Sequence, residues 1–134
     1  MFNRKKAAPQ KRIDSLIGAG TIVEGDVTFA GGLRIDGTVR GHVATVDKQP
    51  ATLVVSEQAT IEGEIRVSHV VINGAVSGPV IANDYLELQA KARVNGDVTY
   101  RTLEMHVGAI VQGKLVHAEQ GSAAIVELKR AMAE

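Results

Sequence analysis

Apolar residues recur in this sequence at every sixth position, with glycine two places after many of them. From Ile17 the series runs Ile17, Val23, Phe29 and Ile35, and Gly25, Gly31 and Gly37 follow the last three. Four places after each come Thr21, Val27, Leu33 and Val39, so one unit offers two inward positions flanking a corner. A period of six excludes an amphipathic helix, whose apolar face repeats every 3 to 4 residues. The unit returns as Val55, Ile61 and Val67, then as Val70, Val76, Ala82, Leu88, Val94 and Tyr100, then as Met105 and Val111. Its phase slips in three places. The first, across Asp47 to Pro50, reads as an inserted loop; the others fall within Val70-Val71 and between Tyr100 and Met105.

A hexad makes physical sense as one side of a triangular coil. A short strand points alternate side chains inward, and a glycine at positive φ turns the corner. Three sides close a coil, and the hexads from Gly25 to Gly113 provide about five to six coils. Each coil pairs its backbone with the coils above and below, giving a parallel β-helix with an interior of Val, Ile and Leu ladders. Composition agrees: Val, Ile and Thr supply 36 residues and Gly another 14, a mixture suited to strands with tight corners. An antiparallel sandwich also uses short Val-rich strands, but it places turns every 8 to 12 residues and has no recurring hexad.

A local word is more specific than the period. An apolar residue, any residue, Gly, any residue and an aliphatic residue occur eight times, centred on Gly25, Gly37, Gly41, Gly63, Gly74, Gly78, Gly96 and Gly113. The run Leu33 to Gly41 contains two overlapping words, and Val70 to Gly78 echoes it. Together with Ala92 to Val98 and Gly108 to Gly113, these runs resemble the bactofilin family of bacterial polymer-forming cytoskeletal proteins. The resemblance covers roughly residues 15 to 116. It implies a right-handed β-helix that polymerises end to end without nucleotide; the hexad by itself fits left-handed helices as well.

Polymerisation has a physical reading. A β-helix leaves unpaired N–H and C=O groups and its interior ladder exposed at each end, and such edges seek partners unless capped. The first-rung candidates for a polymer contact are Leu16, Ile17, Ile22 and Val23, and the last-rung candidates are Ile110, Val111, Leu115 and Val116. Identical ends meeting would give a two-fold contact and a filament without polarity; unlike ends would give a head-to-tail filament. Terminal core residues covered by flanking chain would look the same in sequence.

Three segments follow. Residues 1–15 form a basic tail expected to be disordered, residues 16–117 the β-helix, and residues 118–134 a C-terminal tail. Five basic residues against one acid give residues 1–18 a net +4, leaving the rest at −4 in a chain of zero net charge. Met1, Phe2, Arg4, Lys5 and Lys6 couple an apolar anchor to cations, a membrane-targeting segment of the kind the resemblance implies; a solvated leader is the plainer reading. The C-terminal tail carries Ile125, Leu128 and Met132 at helical spacing, as a cap over the last rung, a partner-binding motif or a segment without stable structure.

Catalytic signals are weak. Gly108 to Lys114 has the spacing of a phosphate-binding loop, but Leu115 stands where Ser or Thr must hold Mg²⁺, and the hexad continues where a helix should open. His42, His69, His106 and His117 have no ligand-like local spacing with carboxylates, and Glu24, Asp26, Glu62, Glu64 and Asp97 read as charged outer faces. There are no cysteines, which excludes disulfides, Cys-ligated zinc and thiol catalysis. Four aromatic residues are too few for a base-stacking platform. No apolar run approaches the roughly 18 residues of a membrane span, so the chain is expected to be soluble and intracellular. No cofactor, metal, nucleotide or direct nucleic-acid partner is expected.

The functional expectation is a non-enzymatic scaffold that associates with itself and with inner-membrane lipids at the cytoplasmic face. Cell shape, local wall synthesis and polar organisation are the roles implied, with cell-wall enzymes or polarity proteins as further partners. The competing reading is an acyltransferase of the hexapeptide-repeat class, a left-handed β-helix of the same period, with His69 or His106 as base. Glycine-centred words, the phase slips and the lack of a long extruded loop count against it.

Overall fold

The computed structural model describes residues 13–46 and 49–118, which form a parallel β-solenoid of fifteen strands in six turns. The chain winds through three sides per turn. The first side carries β1 (Ser15–Ile17), β4 (Gly31–Ile35) and β7 (Ala51–Val55), and continues in the later parts of β9 (Ile65–Ile72), β11 (Val80–Leu88) and β13 (Val98–Met105). The second side stacks β2 (Ile22–Glu24), β5 (Thr38–Arg40), β8 (Thr60–Glu62), β10 (Ala75–Ser77), β12 (Arg93–Asn95) and β14 (Ile110–Gln112) as a six-stranded sheet. The third holds β3 (Val27–Phe29), β6 (Val43–Thr45), the first parts of β9, β11 and β13, and β15 (Leu115–His117). All pairings are parallel, and the turn count lies at the upper end of the five to six expected.

Register turns the hexad into ladders. Val23, Val39, Ile61, Val76, Val94 and Val111 stack along the second side. Ile17, Ile35, Val55, Ile72, Leu88 and Met105 stack along the first, and between these two ladders successive coils take from 15 to 22 residues. In both ladders the four middle members are essentially sealed from solvent. β-branched side chains suit these positions because their stiff χ1 fits a pleated, fully packed surface.

The phase slips have a structural cause. Where the third side bends into the first, β9, β11 and β13 run through the corner without a break, and the register shifts between Ala82 and Tyr85. The slip at Asp47 to Pro50 falls in the connection between β6 and β7, of which Asp47 and Lys48 lie outside the described residues.

Two expectations need correction. Thr21, placed inward, is exposed, whereas Ala59 and Ala92 at the same corner of later coils are buried; Thr21 belongs to the outermost coil and has no coil beneath it. Gly37 does not turn its corner at positive φ. It is confined instead by close approach, because a Cβ there would overlap the carbonyl oxygens of Gly18 and Thr21 one coil below. Gly96 does have positive φ, 154°, and a Cβ on it would strike the Gly78 carbonyl.

The corner between the second and third sides carries a hydrogen-bonded ladder that the sequence did not announce. Asp26 Oδ1 accepts the His42 N–H at 2.9 Å, His42 Nδ1 accepts the Glu64 N–H at 2.9 Å, and Asp97 Oδ1 accepts the Lys114 N–H at 3.0 Å. Each corner side chain thus satisfies a backbone donor one coil ahead, as Asx turns do locally. Pro79 follows Glu64 in this column and has no N–H to satisfy, which leaves Glu64 free to pair with Arg66 at 2.6 Å.

Candidate functional site: the open ends of the stack

The two ends of the solenoid are strand edges. Among the described residues, β1, β2 and β3 pair only with the coil ahead of them, and β14, β15 and the later part of β13 pair only with the coil behind. Within the described residues, each outer edge therefore presents unpaired backbone donors and acceptors on three sides, beside the ends of the interior ladders. An added strand at such an edge gains main-chain hydrogen bonds worth about 1 kcal/mol each.

The eight predicted interface residues divide into two groups. Ile17, Val23, Val111 and Leu115 end the inward ladders; Leu115 stands on Val98, Val80 and Ile65. Ile17, Val23 and Val111 are half-buried against the core. Leu16, Ile22, Ile110 and Val116 point the other way. Leu16 heads an outer ladder with Arg34, and Ile110 stands on Arg93 and Ala75, so these four lie on the outer walls at the rim. Both groups border the open rungs, but only the first would continue the core into an added coil.

Sequence reasoning missed other residues of these surfaces. Leu103 and Met105 sit on the last turn, Leu103 half-buried and Met105 exposed, directly over the sealed Leu86 and Leu88. Met105 belonged to the hexad and Leu103 to its alternate position, so both were available to a closer reading. Phe29 is 7% exposed and fills the interior of the first turn. Asp14 accepts the Gly32 N–H at 3.0 Å and ties the incoming chain to the second coil.

The last rung has a polar corner as well. The rings of Tyr100 and His117 lie 5.6 Å apart, and His117 Nε2 donates to the Arg101 carbonyl at 3.0 Å. His42, His69 and His106 lie on outer faces with backbone or side-chain partners of their own. The segment with phosphate-loop spacing forms β14 between two corners of the stack, as the continuing hexad implies. Glu24 and Glu62 flank Arg40 at 2.9 and 3.7 Å on the outer wall, exposed pairs of small energetic weight. No helix among the described residues is long and apolar enough to cross a membrane. The predicted membrane segment Met1, Phe2, Arg4, Lys5 and Lys6, and the helical pattern of Ile125, Leu128 and Met132, lie outside the described residues.

The family model described as "Bactofilin: Polymer-forming cytoskeletal" matches residues 15–116. Bactofilin BacO of Myxococcus xanthus (strain DK1622) is 28% identical over 102 residues, covering 76% of this chain and 78% of that protein. Bactofilin BacP of the same organism is 23% identical over 116 residues, which cover 86% of this chain but only 47% of the longer relative. No solved structure matches the chain.

Proposed function

The chain belongs to the bactofilin family of polymer-forming cytoskeletal proteins, and from that premise we propose that it assembles end to end into filaments that need no nucleotide. The observation that carries this reading is the pair of open rungs. Three apolar ladders that are sealed in the middle of the stack end half-open, one at both Ile17 and Met105, one at Val23 and one at Leu115, next to strand edges whose backbone is unpaired among the described residues. Stacking a second copy on either end finishes these ladders. Covering the remaining surface of one large aliphatic side chain contributes about 1 kcal/mol, and three edge strands add their hydrogen bonds.

Bactofilins are structural cytoskeletal proteins, and both relatives are named bactofilins. The scaffold reading is accordingly preferred to the acyltransferase one. Attachment to the inner membrane through Met1, Phe2, Arg4, Lys5 and Lys6 is part of the proposal. One apolar anchor and three cations bind an anionic leaflet weakly, but a filament presents many copies at once, so polymerisation and membrane attachment reinforce one another. A membrane-bound scaffold of this kind suits a role in cell shape, local wall synthesis or polar organisation.

The deciding experiment is sedimentation of the purified full chain with and without ATP or GTP. Equal pelleting in all three conditions supports the reading; a monomer at every concentration, or a polymer that appears only with nucleotide, overturns it.

A further inference from the structure

Outside the open ends, one group of side chains converges in a way the scaffold role does not use. On the outer wall of the first side, Glu104 stands in register on Glu87. Two carboxylates directly opposite one another across a strand pair repel. His106, immediately after β13, is anchored by its N–H to the Leu88 carbonyl at 2.9 Å. Its Nε2 lies 3.1 Å from Glu87 Oε2 and 3.4 Å from Glu104 Oε2, and one donor atom from each of the three residues lies within 4.8 Å of the others.

The far sides of the two carboxylates are held. Tyr85 Oη donates to Glu104 Oε1 at 2.7 Å and lies 3.4 Å from Glu87 Oε1; on the near side, Gln89 Nε2 donates at 3.1 Å to Glu87 Oε2, the oxygen that faces His106, and fixes its position. One oxygen of each glutamate is thereby turned towards the imidazole nitrogen. Donor atoms bound to one metal ion at about 2.0–2.2 Å lie roughly 3.0–3.5 Å apart, and the two distances to Nε2 fall in that interval.

A second feature sets the group apart. The other carboxylates in ion pairs on the described surface meet Arg or Lys: Asp36 with Arg34, Glu24 and Glu62 with Arg40, Glu64 with Arg66, Glu57 with Lys91, and Asp84 with Arg101. A guanidinium or ammonium group has no lone pair to give a metal. Only at Glu87 and Glu104 is the facing group, among the described residues, one that can itself be a ligand.

We propose that Glu87, Glu104 and His106 form a binding site for one divalent transition-metal ion of the zinc class. One imidazole nitrogen and two carboxylate oxygens are a borderline donor set, which favours Zn²⁺ and its neighbours over the hard ions Ca²⁺ and Mg²⁺. The site is partly exposed, and water would complete the coordination. Glu87 comes from the fifth turn, Glu104 and His106 from the sixth. Bound metal therefore staples the terminal coil to the one behind it and protects the open rung from fraying, a function distinct from polymerisation itself.

Calorimetric titration of the tag-free full chain with ZnCl₂ tests this. The expected result is one Zn²⁺ per chain, at least tenfold tighter than Mg²⁺ or Ca²⁺. His106→Gln and Glu104→Gln should each weaken binding by tenfold or more, Tyr85→Phe by roughly tenfold through its loss as an orienting donor, and His42→Gln not at all. Zn²⁺ should also raise the thermal midpoint of the parent and leave that of His106→Gln unmoved, because a ligand stabilises only the state that binds it. Circular dichroism establishes that each variant is folded. The absence of saturable binding by the parent, or binding that survives both His106→Gln and Glu104→Gln, would overturn the assignment.

Discussion

Leu115 stands in register on Val98, yet Val98 is fully buried and Leu115 is 45% exposed. The two side chains belong to the same ladder, and what separates them is that no described coil lies beyond Leu115. Substitutions along this column should divide accordingly. Val98→Asp places a charge in a dry interior and should unfold the domain. Leu115→Asp keeps its charge near water, and should leave a folded protein that no longer polymerises through that end. Thermal unfolding together with sedimentation velocity reads both effects. A Leu115→Asp variant that sediments like the parent would exclude this rung from the contact.

The corners give a second prediction. Gly96→Val combines positive φ with a collision against the Gly78 carbonyl and should cost at least about 2 kcal/mol. Gly37→Ala should also destabilise, although its φ is unremarkable, because the new methyl meets the backbone of the coil below. Gly18 is the internal control: nothing lies within 4 Å of a Cβ built there, and Gly18→Ala should stay within about 0.5 kcal/mol of the parent. Equal midpoints for all three variants in a thermal melt would show that the stacking of glycine on carbonyl is not what holds the coils together.

The interior predicts a third series. Ile61 is sealed between Val39 and Val76 on the second side, so Ile61→Val should lose about 0.5–1.5 kcal/mol and Ile61→Ala about 2–5 kcal/mol. Chemical denaturation monitored by circular dichroism measures both. Losses below about 0.5 kcal/mol for Ile61→Ala would mean that the ladder repacks freely around the gap.

The ladders were legible in sequence because register and period coincide: Ile61, Val76 and Val94 are hexad positions and also strand partners. The corners were only partly legible. The word centred on glycine marks two different corners: close approach to the coil below confines both, and the column that includes Gly63, Gly78 and Gly96 has positive φ as well, which Gly37 and Gly74 do not. Sequence spacing alone does not distinguish these causes. The meeting of Glu87, Glu104 and His106 was hidden for another reason. Coil length varies, so which residues stand over one another depends on register shifts such as that between Ala82 and Tyr85, and not on a fixed count. At the ends, the sequence identified which residues were terminal but not which walls they face; Ile110 and Val111 are neighbours that point in opposite directions.

A fourth prediction concerns the basic tail. Deleting residues 1–6 should release the protein from anionic liposomes while leaving its polymer intact. Replacing Arg4, Lys5 and Lys6 alone should mimic high salt, since surface attraction acts within a Debye length of about 8 Å at physiological ionic strength. A non-polymerising Leu115→Asp variant with its tail intact should lose most of its pelleting through lost avidity. Equal pelleting of intact and truncated protein would remove the tail from the mechanism.

Cryo-electron microscopy of the nucleotide-free polymer tests end-on stacking most directly. If each added chain continues the ladders, strands run across the filament and coils repeat along it at about 4.8 Å, so six turns give a subunit rise of about 29 Å. A two-fold contact between like ends would double the axial repeat to about 58 Å while keeping the coil spacing. The expected image is therefore a filament one solenoid wide, with a coil reflection along its axis. Filaments whose coil reflection lies across the axis, or preparations that hold only single solenoids, would contradict it.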